Sequence, residues 1–297
     1  MKLSELNFKG AQHVHSSNHH RQNYQHLGSW HRQGQATLDQ NTHAGQGLPR
    51  NAKTQEPYRG INVLLLWSEA AERGYSSNLW LTYKQAESMG AQVRKGERSV
   101  MCVFFDKIKK ESDDGQDETF YPMAKPFWLF NAAQIDGLPG AALTVSAASQ
   151  EFCPVSEAEQ VLAKTGATIR HGFDGAFYVP SRDEICLPNR EHFTSEVNYY
   201  ATALHELAHW TGSESRLNRT FGKRFGDDVY AMEELVAELS AAFSMGFLGM
   251  VDGTIENHAS YLDGWIKCLK ADKSAIFTAA SQAARASDYI LASRTNP

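Results

Sequence analysis

The sequence lacks any apolar run approaching the roughly 18 residues that a membrane-spanning helix needs. The first nine residues alternate charged and apolar side chains without an apolar core of signal-peptide length, so we expect a cytoplasmic protein with no membrane partner. Cysteine is scarce as well: four residues lie far apart, without a CxxC pair. This spacing excludes a disulfide framework and a cysteine-based metal site, and it is typical of reduced thiols.

An excess of positive charge is also missing, because 29 Lys and Arg stand against 34 Asp and Glu, for a net charge of −5. That average conceals two different halves. Residues 1–110 carry 15 Lys and Arg against 8 Asp and Glu, whereas the remainder carries 14 against 26. A basic front half and an acidic back half, in a chain of 297 residues, predict two domains with different partners.

Aliphatic side chains are sparse between positions 10 and 50, where Gln, His, Asn, Ser and Gly dominate, so we predict a partly flexible segment there. Small residues accumulate again in Gly137–Ser149, which is the best linker candidate. We therefore divide the chain into a first domain at residues 1–135, a linker at 136–152 and a second domain at 153–297.

Hydrophobic periodicity predicts both helices and strands in each domain, hence an α+β fold. The first domain should be small and mixed α/β, with these elements: a helix in Gly60–Gly74, a strand and short helix in Trp80–Gly90, strands at Ser99–Phe105 and Phe127–Phe130, and a polar hairpin loop at Lys107–Glu118. The second should be mainly helical around a β-hairpin, with these elements: helices at Ser156–Lys164, Ser195–Thr211 and Asp228–Leu248, a hairpin of Gly175–Val179 and Glu184–Leu187, and a helix pair in Asn257–Ala292.

One predicted helix of the second domain contains the HExxH segment His205–His209. Two histidines four residues apart lie on one helical face, so both imidazoles can reach one ion, and Glu206 can deprotonate a water beside it. Ser195 and Glu196 are suited to begin this helix, and Gly212 to end it. We therefore predict a divalent-metal site, with zinc expected and manganese or another divalent metal as the alternative, and Glu206 as its general base.

A third protein ligand is needed, because catalytic zinc sites use three side chains and keep a fourth position open. The following helix offers Glu233, Glu234 and Glu238. Its spacing predicts a buried stripe through Leu235, Leu239, Ala242 and Gly246. Glu238 borders this stripe, Glu234 lies one step further round, and Glu233 is expected to face solvent. His171 and His258 are isolated in the sequence and are interpreted as structural or surface histidines.

A glutamate ligand on the helix after HExxH is the arrangement of the glutamate-type zincins. That resemblance implies Glu234 as the third ligand and Glu238 as the acid that orients a ligating histidine from the outer shell. The reverse assignment stays open, and so does the interpretation of both acids as ordinary helix-surface residues.

Cations and aromatic side chains are interleaved in the basic half, as single-stranded nucleic acid binding requires, because cations contact phosphates and aromatics stack on unpaired bases. Tyr58, Trp80 and Tyr83 are the best stacking candidates, whereas Trp67 belongs to an apolar helix. The predicted cationic contacts are Arg59, Lys84, Arg94, Lys95, Arg98 and Lys107.

Nearly the whole chain after position 50 resembles the ArdC family of plasmid antirestriction proteins. The matching segments include Tyr58–Asn62, Trp80–Ala86, Val93–Glu97, His205–Gly212 and Glu233–Glu238. The front portion is also similar to the N-terminal region of conjugative-plasmid primases. By this resemblance Asn62 joins the candidate DNA contacts.

The resemblance implies a domain that binds single-stranded DNA, followed by a zincin-like metallopeptidase domain. It further implies that the protein protects incoming plasmid DNA from host restriction, in the cytoplasm of the donor or recipient bacterium. A host restriction component or another protein would be the peptidase substrate. Two alternatives stay open: a metalloprotease of a host protein that DNA binding only localises, and a metal site with a structural or regulatory role alone.

Overall fold

The computed structural model describes residues 47–110, 119–140, 154–220, 228–250 and 275–292. They form two compact units. The first comprises the described residues of Pro49–Pro57 and Asn62–Val145, and the second those of His43–Leu48, Tyr58–Ile61 and Ser146–Pro297. The expected two-domain α+β class is confirmed. The boundaries at 135 and 153 stay predictions, and residues 141–152 of the expected linker lie outside the described ranges.

A four-stranded sheet in the order β1-β2-β5-β4 forms the base of the first unit. Its strands are β1 (Arg50–Asn51), β2 (Leu79–Leu81), β4 (Val100–Lys110) and β5 (Thr119–Asn131). The last two pair antiparallel over their whole length, from Val100 opposite Leu129 to Lys110 opposite Thr119. Lys107 therefore lies in a strand rather than in the predicted hairpin loop, because backbone pairing continues after the side chains have become polar.

Two helices and a second strand pair complete the first unit: α1 (Ile61–Arg73), α2 (Tyr83–Ser88), and the antiparallel strands β3 (Gln92–Val93) and β6 (Ile135–Asp136). The short helix α2 starts at a reciprocal cap, in which Thr82 Oγ1 accepts from the Gln85 N–H and Gln85 Oε1 accepts from the Thr82 N–H. Leu79, Leu81 and Ala86 belong to the buried cluster beneath it. The strand-then-helix prediction for this stretch is confirmed.

The second unit contains a three-stranded sheet in the order β7-β9-β8. Its elements are α3 (Pro154–Lys164), β7 (Thr168–His171), β8 (Phe177–Val179), β9 (Glu184–Leu187), α4 (Glu196–Thr211), α5 (Asp228–Phe247) and α6 (Ala275–Ala292). β8 and β9 form the expected antiparallel hairpin, and β7 runs parallel to β9. Residues 257–274 of the predicted last helix pair lie outside the described ranges.

Helix α4 is the centre of this unit, since it contacts the sheet, α5 and α6. Its residues Tyr200, Leu204 and Leu207 are fully buried against Ile185 and Leu187 of β9. The rigid core on one side of α4 fixes the direction in which its remaining side chains point. None of the described helices is both long and apolar enough to cross a membrane. The described cysteines, Cys102 and Cys186, are buried free thiols.

Candidate functional site

Helix α4 carries the HExxH segment in the frame that the sequence predicted. The Ser195 hydroxyl accepts a hydrogen bond from the Asn198 N–H at 3.1 Å and caps the first turn, where Glu196 favours the positive end of the helix dipole. The helix ends at Thr211, with Gly212 as its C-cap. The Gly212 residue has ordinary right-handed dihedrals, so the helix stops without a left-handed turn.

Three potential ligand atoms converge between α4 and α5. The Nε2 atoms of His205 and His209 are 3.1 Å apart. Glu234 places Oε2 at 3.5 Å from His205 Nε2 and Oε1 at 3.5 Å from His209 Nε2. Among the described residues, these three form the group of His, Cys, Asp and Glu side chains whose ligand atoms lie close enough to hold one ion.

The geometry of this group fits a tetrahedral cation. Bonds of about 2.0–2.1 Å at tetrahedral angles place neighbouring ligand atoms about 3.4 Å apart. The Nε2–Nε2 separation of 3.1 Å and the 3.5 Å from each Nε2 to one Glu234 oxygen are close to that spacing, with the two histidines contacting different oxygens of the carboxylate. Two nitrogens and a carboxylate oxygen are also ligand types that zinc accepts, and they leave a fourth position open.

Each histidine is backed by a second acid on its other ring nitrogen. Glu238 Oε1 lies 3.5 Å from His205 Nδ1, and Glu233 Oε1 lies 3.2 Å from His209 Nδ1. A carboxylate at Nδ1 holds the proton there and leaves Nε2 available as a ligand. This geometry agrees with an outer-shell position for Glu238.

The expected exposure of Glu233 is wrong, because this residue is 5% exposed and contacts a candidate ligand. The error came from the predicted stripe on α5. Ala242 is exposed and Leu239 only half-buried, whereas Val236, Ala237 and Ala241, which lie off the stripe, are buried. The helix is enclosed on most of its circumference, so its hydrophobic periodicity did not separate an inner from an outer face.

Glu233 is held by an arginine that the sequence analysis did not consider. Arg219 Nε and one terminal nitrogen donate to the two Glu233 oxygens at 3.0 and 2.8 Å. Burial opposes the charge on Glu233, but hydrogen bonds from His209 and Arg219 hold the pKa of this carboxyl below its usual value. The residue is therefore an anion that has both a histidine and a guanidinium as partners. No motif spacing would have indicated Arg219, because the contact depends on how the loop after α4 folds back.

Glu206, the expected general base, is buried beside the cluster. Burial raises the pKa of its carboxyl, against the charges of both histidines and a hydrogen bond from the Tyr178 backbone N–H. A carboxylate with a raised pKa is a stronger base than an exposed one, as proton abstraction requires. Strand β8, to which Tyr178 belongs, packs on α4 and is an outer strand of its sheet.

The cluster as a whole is arranged to hold positive charge. Burial alone would lower the pKa of His205, but hydrogen bonds with Glu234 and Glu238 hold it well above its usual value. Several buried carboxylates around two imidazoles are stable only with compensating charge, which a proton or a cation can supply.

A separate network connects the β8–β9 turn to the end of α4. Arg216 donates to both carboxylate oxygens of Asp183, one of them at 3.0 Å, and its Nε donates to the Trp210 carbonyl at 2.6 Å. The Tyr178 hydroxyl donates to Asp183 Oδ1 at 2.8 Å. Asp183 has a φ of 52°, a left-handed conformation that Asp tolerates in tight turns. The strand beside Glu206 is thus fastened at its turn.

The two isolated histidines have different outcomes. His171 Nε2 lies 3.1 Å from the Tyr199 hydroxyl and its ring stacks on that of Tyr199, outside the ligand group. This agrees with its interpretation as a structural residue. His258 lies outside the described residues.

Two of the candidate DNA contacts have structural roles in the first unit. Trp80 is 1% exposed and packs edge-on against Tyr75, so its predicted stacking on a base is wrong. Both faces of strand β2 are covered, since Leu79, Trp80 and Leu81 are all buried, and the composition of this segment did not indicate that. Asn62 donates from Nδ2 to the Val103 carbonyl and accepts from its N–H, both at 2.8 Å, which attaches α1 to β4.

Two other candidates belong to the second unit. Tyr58 and Arg59 cluster there, where Arg59 forms an ion pair with Asp288 of α6. Tyr58 is half-buried. The sequence had placed both in the first domain, because the chain position of a short segment does not reveal which core it joins.

The remaining candidates lie on the surface of the first unit. Tyr83 is 46% exposed, and Lys84, Lys95 and Arg98 are exposed. Arg94 is exposed too, but it donates to Glu97 and to the Ala133 carbonyl at 2.8 and 2.6 Å. The side chain of Lys107 lies outside the described part of the chain.

Two exposed aromatics were not among the predicted contacts. Phe104 on β4 and Trp128 on β5 are 58% and 52% exposed. Lys125 is the cross-strand neighbour of Phe104, and Met101 that of Trp128, so the two rings lie on opposite faces of the hairpin. Exposed rings of this size are candidates for base stacking.

The fold and the ligand group define the class of this protein: a metal-site domain of the zincin type preceded by a small α/β domain. Residues 156–282 match the family of zincin-like metallopeptidases, and residues 28–130 match the N-terminal domain of the anti-restriction factor ArdC. The chain belongs to the ArdC family of antirestriction proteins, as its sequence resemblance predicted.

Solved structures and curated relatives agree with this assignment. The chain is similar to the ArdC protein of plasmid R388 in its metal-free structure, with a TM-score of 0.71 and 37% identity over 88% of this chain and 93% of that one. The Mn(II)-bound structure of that protein gives a TM-score of 0.69 and 39% identity over 84% and 89%. Protein y4eC of Sinorhizobium fredii is 35% identical over 90% of this chain and 85% of its own length.

A DNA primase, TraC of Escherichia coli, is 40% identical over 84% of this chain. The match spans only 24% of the primase.

Proposed function

We propose that this chain is an antirestriction protein of a conjugative plasmid, with a first unit that binds single-stranded DNA and a second unit that carries a metal-dependent peptidase site. Its likeness to the R388 ArdC protein over nearly the full length of both chains supports the role. We propose that it acts in the cytoplasm of the donor or recipient cell, where a host restriction component or another host protein would be the peptide substrate.

The convergence of His205, His209 and Glu234 at 3.1 to 3.5 Å, with Glu206 buried beside them, is the observation that supports the peptidase site most directly. A divalent cation held by these three residues would polarise a substrate carbonyl and lower the pKa of a water. The nitrogen-rich ligand set favours zinc, and the Mn(II)-bound R388 protein makes manganese the alternative.

Glu206 would accept the proton of the attacking water and return it to the leaving amine. Its raised pKa suits both steps, because a carboxyl with a pKa nearer neutrality can accept a proton and release it again. The Tyr178 N–H donates to this carboxylate, which restrains its position.

Strand β8 supports an extended peptide as the substrate. It is an outer strand of the sheet and packs on α4 beside Glu206. A peptide lying along an open strand edge gains backbone hydrogen bonds and is held straight, which brings one carbonyl to the ligand group.

For DNA binding, the exposed cations Lys84, Lys95 and Arg98 would contact phosphates, and the exposed rings of Tyr83, Phe104 and Trp128 would stack on bases. These contacts predict a preference for single strands and little sequence dependence, because stacking does not distinguish bases.

The test compares wild type with Glu206→Gln and, as the matched control, with Glu214→Gln, an exposed glutamate of the same unit. We expect Glu206→Gln to keep its bound metal and its DNA affinity, and to lose roughly a hundredfold or more in peptide hydrolysis. Equal hydrolysis by both variants would contradict the assigned base.

A structural or regulatory metal site is the second candidate, favoured by the closed ring of buried acids around both histidines. Measuring how well each variant protects plasmid DNA from restriction in cells distinguishes the enzymatic role of the metal site from the structural one. Loss of protection in Glu206→Gln supports an enzymatic role, and full protection by a variant that retains metal supports the structural one.

A further inference from the structure

Arg216 and Arg219 lie in the segment that follows α4, and they make parallel sets of hydrogen bonds. Arg216 donates to the Trp210 carbonyl and Arg219 to the Ala208 carbonyl, so both cap the last turn of α4. Each also bonds both oxygens of one carboxylate, Asp183 for the first and Glu233 for the second. The two arginines differ in the other contacts that their carboxylate partners make.

The carboxylate bonded by Arg219 is the one that faces His209 Nδ1. The guanidinium and the carboxylate are 6% and 5% exposed, and their closest contact is 2.8 Å. The same Glu233 oxygen lies 3.2 Å from His209 Nδ1. The Asp183 side chain is half exposed and accepts from the Tyr178 hydroxyl and from Arg216. It is not among the described acids that contact a candidate histidine ligand.

We propose that Arg219 is a positioning residue of the metal centre, which fixes Glu233 and through it the orientation of His209, and thereby sets the affinity for the cation. This inference rests on the proposed metal site. It means that the loop after α4 contributes a residue to that site in addition to those of the HExxH segment.

The physical reason is the freedom of the Glu233 side chain. A glutamate has three rotatable bonds, and one hydrogen bond to an imidazole leaves several arrangements open. The bidentate guanidinium selects one of them and compensates a buried charge that would otherwise be costly. Without Arg219, the Glu233 side chain can turn away, and His209 then loses the partner that holds its ring.

A role limited to closing the helix end is the competing explanation, because Arg219 also donates to Thr211 Oγ1 at 2.8 Å and to the Ala208 carbonyl. Arg216 supplies the matched control, since its loss would also remove a helix cap and a bidentate pair in the same loop. A structural role predicts similar consequences for both residues.

The experiment measures Zn²⁺ and Mn²⁺ affinity of the full chain by competition with a chromophoric chelator, for Arg219→Gln and Arg216→Gln. Thermal unfolding in the presence of a chelator reports the fold of each. We expect Arg219→Gln to lose roughly tenfold to a hundredfold in cation affinity, the range for outer partners of ligating histidines. Arg216→Gln should stay within about twofold of wild type, since no ligand depends on its carboxylate.

A double variant tests whether the effect passes through Glu233. If it does, Arg219→Gln should change the affinity much less in a Glu233→Gln background than alone, because the partner it positions is already neutral. Equal losses in both backgrounds, or equal losses for Arg216→Gln and Arg219→Gln, would overturn the inference.

Two controls keep the result decisive. Should Arg219→Gln not fold, Arg219→Lys retains the charge without the bidentate geometry, and we expect a smaller loss of affinity and an altered visible spectrum of the Co²⁺-loaded protein. An unchanged spectrum and affinity in a folded Arg219→Lys, with Arg219→Gln unfolded, would assign Arg219 to folding alone. If wild type binds neither cation, the proposed metal site fails, which is a result distinct from failure of this inference.

Discussion

The two units place their functional groups in opposite ways. In the second unit, the candidate ligands and the acids behind them contact one another at 3.1 to 3.5 Å, and the candidate base Glu206 is buried beside them. In the first, the candidate DNA contacts are separate side chains on the surface, and one of them, Arg94, is already bonded to its own unit. The buried site depends on every member, whereas the surface should tolerate the loss of any one.

That difference follows from the chemistry each unit would perform. A cation and a proton-accepting carboxylate need fixed positions and little water, which requires burial and partners for every charge. Binding a flexible polyanion requires accessible cations and rings instead, and many weak contacts add up. Substitutions that remove one side chain from the buried site, or one from the surface of the first unit, therefore test this difference directly.

The largest effect should come from the ligand group. Glu234→Ala removes one of the three proposed ligands, and we expect cation affinity to fall by more than about a hundredfold, which exceeds the loss typical of a residue that only contacts a ligand. Chelator competition measures this, with Glu214→Ala as the exposed control. A Glu234→Ala protein that binds zinc as tightly as wild type would show that another acid is the third ligand. Glu238 would then be the first candidate.

A smaller effect is expected from an exposed ring of the first unit. Trp128→Ala should weaken binding to a single-stranded oligonucleotide by about fivefold or more, because a stacked ring contributes about 1–3 kcal/mol per base. Fluorescence anisotropy at fixed salt measures the change. Trp67→Ala would be a poor control, since that ring is half-buried in α1. Tyr289→Ala, an exposed aromatic of the second unit, is the appropriate one.

A single surface cation should matter less still. Lys95→Ala should reduce affinity a few-fold and lower the dependence of log affinity on log salt by about 0.7, the contribution of one phosphate contact on a single strand. Titrations at several salt concentrations measure this slope. A loss of DNA affinity by more than about a hundredfold would contradict the contrast between the two units, because a single surface side chain would then be indispensable.

The smallest effect should come from Asp183, which belongs to the second unit but is half exposed. Hydrogen bonds from Arg216 lower the pKa of Asp183 below its usual 3.8. A lowered pKa stabilises the fold above pH 3.8, and this contribution disappears as the pH falls through the lower folded-state pKa. Chemical unfolding at neutral pH should show Asp183→Asn less stable by at most about 1 kcal/mol, as for other exposed ion pairs.

The same measurement at low pH supplies the check. The difference in unfolding free energy between wild type and Asp183→Asn should shrink as the pH drops below 3.8. A difference that grows in acid would contradict the sign of the pKa shift.

Local signals predicted much of the second unit. The cap at Ser195, the end of α4 after Thr211 and the i, i+4 histidines are determined within a few turns of one helix, and the turn residues around Asp183 determine the β8–β9 hairpin. These features need no knowledge of distant residues, so the sequence was sufficient.

Tertiary packing decided the rest. Whether Glu233 or Trp80 is buried depends on which elements cover them, and neither hydrophobic periodicity nor charge spacing contains that information. Arg219 meets Glu233 only because the loop after α4 folds back on α5. The surface candidates depend most on such long-range arrangements, and the sequence predicted them least well.

The short segment Tyr58–Ile61 and residue Leu48 have a consequence for how this protein can be divided. Both are grouped with the second unit, where the Leu48 N–H donates to the Gly246 carbonyl at 3.1 Å and Ile61 is buried, yet β1 of the first unit lies between them in sequence. A peptidase unit isolated by cleavage at the predicted linker would therefore lack two of its own apolar residues. Point substitutions can test the two proposed functions separately, but a single crossover at the linker would not exchange the complete second unit.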